Sequence, residues 1–249
     1  MPYLYDTHCH LFSEYNYDLK QVIYNFEKKN IKYVINNGTS YKTNKEVLLI
    51  SKNYSQIKAA IGFHPEDLDK FQDEDLKQIT DNIDKIVAIG EIGLDYYNSL
   101  VPKELQKEIF IKQLKIAQKY NKPVIIHSRN AYDDTLEILK KFNLKGSWHC
   151  FTGTIKEAKE IINMGYKLGI GGILTFKNSD LDEVIKNIDL KNIILETDSP
   201  YLSPVPYRGK TNEPKNIKII LEKIAEIKQM DEKEVAKIIE INTLELFKF

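Results

Sequence analysis

Asp6-Thr7-His8-Cys9-His10 stands almost at the start of the chain, behind the short run Tyr3-Leu4-Tyr5. Residues i and i+2 of a strand point to the same face. On a strand, His8 and His10 therefore aim one way and Cys9 aims the other, into a helix layer. The chain has only five histidines, so two of them here call for a shared task. An open doubly wound sheet usually places a Gly-rich phosphate loop after its first strand. This first strand ends in histidines instead, which turns the reading towards a barrel.

Working outward, short apolar runs at 3–7, 31–36, 57–62, 86–90, 124–127, 146–149, 166–170 and 192–196 read as buried parallel strands. Helical patterns lie between them. Leu19, Val22, Ile23 and Phe26 share one helix face, as do Ile217, Ile220, Leu221 and Ile224. Thr43 with Glu46, and Thr154 with Glu157, have capping-box spacing. Pro102 suits the first turn of a helix over 103–120. Gly165 marks a stop, and a last helix over 231–246 would complete an outer ring. Eight such units in 249 residues predict an α/β fold, a (β/α)8 TIM barrel, with residues 1–249 as a single domain.

Composition narrows the function. Equal numbers of acidic and basic residues leave no net charge, which argues against coating nucleic acid by bulk electrostatics. Gripping a few phosphates locally remains open. The chain has two arginines, Arg129 and Arg208, in a lysine-rich background. Cys9 and Cys150 are its only cysteines, so no disulfide framework is expected. No signal-peptide pattern opens the sequence and no run is long enough to cross a bilayer. A cytoplasmic monomer with no membrane partner is the expectation.

The polar residues that close the strands form an ordered set. Strand one carries His8 and His10, strand three leads to His64 and strand four to Glu91. Strand five carries His127, strand six His149, and strand eight leads to Asp198. Catalytic groups of such barrels collect at the C-terminal face. Singly, each has a plain alternative: a hydrogen-bonded core histidine, or Asp198 as a helix cap before Pro200. Jointly, His8, His10, Glu91, His127, His149 and Asp198 exceed what one four-coordinate ion takes. Two divalent ions about 3.5–4 Å apart, sharing a carboxylate, fit the set better. Both cysteines read as packing residues, since alternation turns Cys150 away if His149 points inward.

In its motifs the chain resembles the TatD-type metal-dependent deoxyribonucleases, within the amidohydrolase-like barrels. The segments are DTHCHL, GFHPE, GEIGLDYY, QKEIFIKQLKIAQKYNKPVIIHSR, HCFTG, LGIGG and LETDSPYLSP, in that order. The resemblance implies that His8, His10 and Asp198 hold one metal, His127 and His149 the other, and Glu91 bridges them. Phosphotriesterase- and dihydroorotase-like relatives typically bridge with a carboxylated lysine; Glu91 favours the nuclease branch. It further implies 3′→5′ exonuclease activity on single-stranded DNA ends, and sometimes RNA, through a hydroxide activated by two metals.

Magnesium, manganese or zinc are the candidate ions. Asp198 would ligate or take a proton from the nucleophilic water, and His64 would contact the scissile phosphate or the leaving oxygen. Arg129 and Arg208, on loops opening at the predicted face, are candidate phosphate binders. Tyr96, Tyr97 and Tyr201 are candidate base-stacking residues, and Asp95 a candidate to orient a ligand histidine. The rivals are a metal-dependent amidohydrolase, lactonase or esterase, for example acting on aminoacyl-tRNA esters, and a non-catalytic barrel that keeps its site as a relic. Loss of Arg129 or Arg208 should weaken phosphodiester cleavage more than hydrolysis of a neutral amide.

Overall fold

The computed structural model describes residues 2–97 and 99–249. Its strands are β1 (Leu4–Cys9), β2 (Ile31–Asn37), β3 (Ile57–Ile61), β4 (Ala88–Asp95), β5 (Val124–Arg129), β6 (Gly146–Trp148), β7 (Lys167–Ile170) and β8 (Ile193–Leu195). They make one sheet in chain order, and neighbours pair in parallel. The main helices are α1 (Leu19–Lys29), α2 (Tyr41–Asn53), α3 (Lys77–Thr80), α4 (Lys103–Tyr120), α5 (Tyr132–Leu139), α6 (Ile155–Asn163), α7 (Leu181–Asn187), α8 (Ile217–Lys228) and α9 (Glu232–Leu246). This is the expected (β/α)8 barrel.

The seam between β8 and β1 closes at the C-terminal end of the strands. The His10 N–H donates to the Ser199 carbonyl at 2.6 Å, and the Asp198 N–H donates to the His8 carbonyl at 2.9 Å. The buried Asp6 carboxylate accepts from the Thr197 N–H at 2.9 Å and from its hydroxyl at 2.5 Å. The Thr7 hydroxyl donates to the Leu195 carbonyl at 2.9 Å. One pentapeptide thus ties the seam with Asp6 and Thr7 and presents two imidazoles at the mouth.

The other end is filled with carbon. Ile35, Ala60, Ala88, Ile125 and Ile194 come from five strands and pack with Leu246 and Phe247 in one apolar cluster. A cluster that joins strands so far apart in the ring lies inside it. Phe247, fully buried, follows α9 directly and seals the end opposite the mouth.

Local signals were largely obeyed. Thr154 and Glu157 form the capping box of α6, and Gly165 takes a positive φ of 87° just beyond that helix. The Thr43–Glu46 box is corrected. Ser40 is the N-cap of α2 and Thr43 is its reciprocal partner, while the Glu46 carboxylate accepts from the Ser13 N–H at 2.5 Å. A threonine three residues in can serve as well as a glutamate, so spacing alone shifted the start. Strand β4 also runs on to Asp95, with a register shift against β5 between Ile89 and Ile92. Glu91 therefore lies within the strand. Gly93 (φ 152°) permits the close approach: a side chain there would run into the His127 carbonyl.

Candidate metal centre

His8 is the penultimate residue of β1 and His10 follows its end. His64 lies beyond β3, Glu91 within β4, His127 within β5, His149 just past β6 and Asp198 beyond β8. A cavity of about 770 Å³ at the mouth is lined by His10, His64, Glu91, His127, His149 and Asp198. His8 lies beneath them, fully buried. Asp198 has a left-handed φ of 56°, a conformation uncommon for a residue with a side chain and frequent where function demands it.

Glu91 is the hub. Its Oε2 lies 3.2 Å from His8 Nε2 and 3.5 Å from His10 Nε2. Its Oε1 lies 2.7 Å from His127 Nδ1, 3.6 Å from His64 Nε2 and 3.7 Å from His149 Nε2. Asp198 Oδ1 approaches His8 and His10 Nε2 at 3.7 and 3.6 Å. Among the described residues four sets have ligand atoms mutually close enough for an ion: His8–His10–Asp198, His8–Glu91–His149, His64–Glu91–His127 and His149–Cys150–Glu196. The third set brings His64 beside His127, a grouping the sequence did not suggest.

Hydrogen bonds decide which nitrogen of each ring carries a proton. A backbone carbonyl can only accept. His10 Nδ1, 2.9 Å from the Asn37 carbonyl, is therefore an N–H and leaves Nε2 as a lone pair. That lone pair faces His8 Nε2 at 3.1 Å, next to two carboxylates. Such a convergence of acceptors requires a cation or shared protons, so the residues fit divalent ions. His127 Nε2 lies 2.8 Å from Asp95 Oδ2, which frees Nδ1 towards Glu91. His64 runs the other way. Its Nδ1 accepts the Glu66 N–H at 3.2 Å, so the neutral ring carries its proton on Nε2 and is a donor into the cavity, not a ligand.

The charges agree with this. Burial and the neighbouring His127 push the His64 pKa down to about 3, so the ring is neutral. Burial opposes protonation of His127 as well, but its hydrogen bonds to Asp95 and Glu91 lift it to about 9. The carboxylates of Glu196 and Glu91 outweigh burial at His149 and lift it to about 10. Burial disfavours the Glu91 anion, yet the imidazoles of His8, His64 and His149 hold its pKa well below the carboxylate range.

Other candidates separate. Asp95 touches His127 as expected of an orienting residue. Arg129 lines the cavity, its guanidinium stacked 3.9 Å over the Tyr97 ring. Arg208 is not among the lining residues: it stacks on Phe176 at 3.9 Å and donates to the Ser203 carbonyl at 3.2 Å. Tyr96 donates to Asp134 at 2.7 Å, whereas Tyr201 lines the cavity and its hydroxyl meets that of Tyr15. Cys9 is buried with its thiol on the Ile35 carbonyl. Cys150 departs from expectation. β6 ends at Trp148, so strand alternation does not reach Cys150, which has φ 46° and lines the cavity. Sequence reading also passed over Glu196, buried 2.9 Å from His149 Nδ1. The available signal was its spacing of two from Asp198.

Comparison with known proteins adds the lineage. The sequence model of one family, TatD related DNase, matches residues 5–248. The chain belongs to that family. The TatD relatives include the uncharacterized metal-dependent hydrolase YabD of Bacillus subtilis, 40% identical over 98% of this chain and 99% of its own. YcfH of Escherichia coli, also an uncharacterized metal-dependent hydrolase, is 32% identical over 98% and 96%. The crystal structure of the TatD homolog YjjV from Escherichia coli superposes with a TM-score of 0.93 at 30% identity, covering 99% of this chain and 98% of that one. A TatD-family hydrolase from Entamoeba histolytica gives 0.85 at 27%, covering 99% and 98%. The protein is thus a metal-dependent hydrolase of the TatD family. Among the described residues no helix is long and apolar enough to cross a membrane.

Proposed function

We propose that the protein is a phosphodiesterase that removes nucleotides from the 3′ ends of single-stranded DNA, with RNA as a further substrate, and that its whole length works as one domain and as a monomer. The observation that carries this is the joining, in one cavity, of an imidazole–carboxylate set centred on Glu91 with the guanidinium of Arg129. His8, His10 and Asp198 would hold one divalent ion and His127 with His149 a second, Glu91 lying between them; magnesium, manganese and zinc are the candidates. When bound, such ions lower the pKa of a water and offset charge on phosphoryl oxygens.

The chain's own residues do the rest. Arg129, stiffened by its stack on Tyr97, presents a planar fork to a phosphate. His64, neutral and protonated on Nε2, donates a hydrogen bond to an oxygen of the scissile phosphate or to the leaving oxygen. Asp198 would accept a proton from the attacking water. Tyr15 and Tyr201 form an aromatic wall beside His10 on which a terminal base can stack. The lining acids Glu14, Glu66, Asp67, Glu91, Asp95 and Asp198 outnumber the lining cations Lys42 and Arg129. Two divalent ions would cancel that excess but create no long cationic track, which suits a strand end better than a duplex.

The test uses metal-stripped protein, wild type beside Glu91→Ala, and 5′-labelled single-stranded DNA. Magnesium, manganese and zinc are added back separately. Stepwise shortening from the 3′ end, absent from a folded Glu91→Ala variant, is the expected result. No cleavage by folded wild-type protein that has rebound its metal would refute the DNA exonuclease, and aminoacyl-ester and amide substrates would then be assayed at the same site.

A further inference from the structure

We infer that Glu196 is the positioning residue for His149: its carboxylate holds the imidazole proton on Nδ1 and so keeps the Nε2 lone pair directed at the metal. The inference rests on reading His149 as a ligand. Glu196 follows β8 and is fully buried. Its Oε1 accepts the Cys150 N–H at 2.7 Å and stands 2.9 Å from His149 Nδ1. Among the described residues His149 is its ion-pair partner, and no lysine or arginine reaches it. An isolated buried carboxylate is costly unless paired.

The surroundings are shaped for this carboxylate. A side chain at Gly169 would overlap Glu196 Oε2, and one at Gly171 would touch its Cγ. Gly169, within β7, thereby leaves the space the carboxylate occupies, while a Cβ at Gly171 would meet it only in ordinary contact. His149 Nδ1 and Glu196 Oε2 are both buried without a well-aligned hydrogen bond. Ring and carboxylate meet obliquely; the positioning role has the ring turn into line with Glu196 when Nε2 binds an ion. The other proposed ligand rings have their rear nitrogens fixed where a partner is seen: His10 by the Asn37 carbonyl and His127 by Asp95. Carboxylate–histidine–metal relays of this kind set tautomer and ring direction.

The test compares Glu196→Ala, which removes the acceptor at Oε1, and Gly169→Ala with His149→Ala in the full chain. Zinc and cobalt binding are titrated by calorimetry, the absorption bands of the cobalt-loaded protein are recorded, and the metal-free forms are melted. Both substitutions are expected to weaken one ion about 10- to 100-fold, leave the other unchanged and alter the cobalt bands. Gly169→Ala acts by displacing the carboxylate without removing it. A purely structural Glu196 would lower the melting temperature of the metal-free protein and leave affinity and bands as in wild type, which would overturn the inference. If His149→Ala weakens binding and the other two variants do not, the inference fails and the ligand reading stands. If His149→Ala also binds like wild type, the ligand reading itself fails. A third ion in wild type that disappears in Glu196→Ala would instead make Glu196 a ligand, with His149 and Cys150, and would equally overturn the positioning role.

Discussion

Asp95→Asn should disable the His127 side of the centre without unfolding the protein. Asp95 Oδ1 accepts the Tyr97 N–H at 2.8 Å, and Oδ2 lies 2.8 Å from His127 Nε2. An amide has one oxygen and one NH2. The Tyr97 peptide can only donate, so the oxygen stays there and the NH2 meets His127 Nε2. Two donors cannot share that contact, and the ring must move its proton to Nδ1. Nδ1 lies 2.7 Å from Glu91 Oε1, where the lone pair for the ion is needed. The alternative flip sets the Tyr97 N–H against an NH2 and loses that half-buried hydrogen bond, which costs about 0.5–1.5 kcal/mol. Losing such an orienting partner typically lowers metal affinity about 10- to 100-fold, or about 1.4–2.8 kcal/mol. The main chain of Asp95 keeps its two bonds to the Gln106 side chain at 2.8 Å, so the fold should persist. Calorimetric titration of the metal-stripped variant checks this. Wild-type affinity in a folded Asp95→Asn protein would show that Asp95 does not set the His127 tautomer.

Five further outcomes follow from the structure. Metal binding near neutral pH should release protons and tighten as pH rises towards about 9, because His127 and His149, at about 9 and 10, are protonated in the metal-free protein; calorimetry in buffers of different ionisation enthalpy reads this, and no proton release would contradict those values. These raised pKa values also stabilise the metal-free fold below the unfolded histidine value near 6.5, a contribution lost as pH climbs through 9 to 10. Glu91 and Asp198, held low, contribute above the normal carboxylate range and lose it in acid, so a melting temperature that rose steadily from pH 8 to 10.5 would be inconsistent with the site. Phe247→Ala empties the fully buried seal of the barrel and should cost about 3–5 kcal/mol, lowering Tm by about 10 °C while activity per folded molecule stays near wild type. In nuclease assays, Arg129→Ala should raise KM about tenfold, as removal of a charged phosphate contact costs about 1.5 kcal/mol or more. His64→Ala should act mainly on kcat if its Nε2 proton serves the transition state.

The strand order, the helix faces and the gathering of the polar set at the barrel mouth were legible because they follow from short-range rules. A strand buried on both faces must be an apolar run, and its C-terminal end is where the polar residues of a barrel gather. Boundaries were weaker: β4 and β5 each continue past the expected end because ladder pairing with a neighbour, not composition, decides where a strand stops. Arg208 shows the same limit for function. Its loop position suggested phosphate binding, whereas Phe176 and the Ser203 carbonyl engage its guanidinium outside the lining of the cavity.

By itself the sequence determined the barrel, the gathering of polar side chains at its mouth and the shared direction of His8 and His10, since periodicity and strand alternation act within a few residues; that Asp6 and Thr7 tie the seam came from packing. Only the tertiary structure decided what each imidazole offers. The Asn37 carbonyl turns the His10 Nε2 lone pair to the site, the Glu66 amide leaves the His64 Nε2 proton facing it, and Glu196 comes to His149 from a strand two places round the ring. Those partners are backbone groups and a carboxylate brought in by packing. A proton's place on a ring depends on such neighbours and leaves no trace in the order of residues.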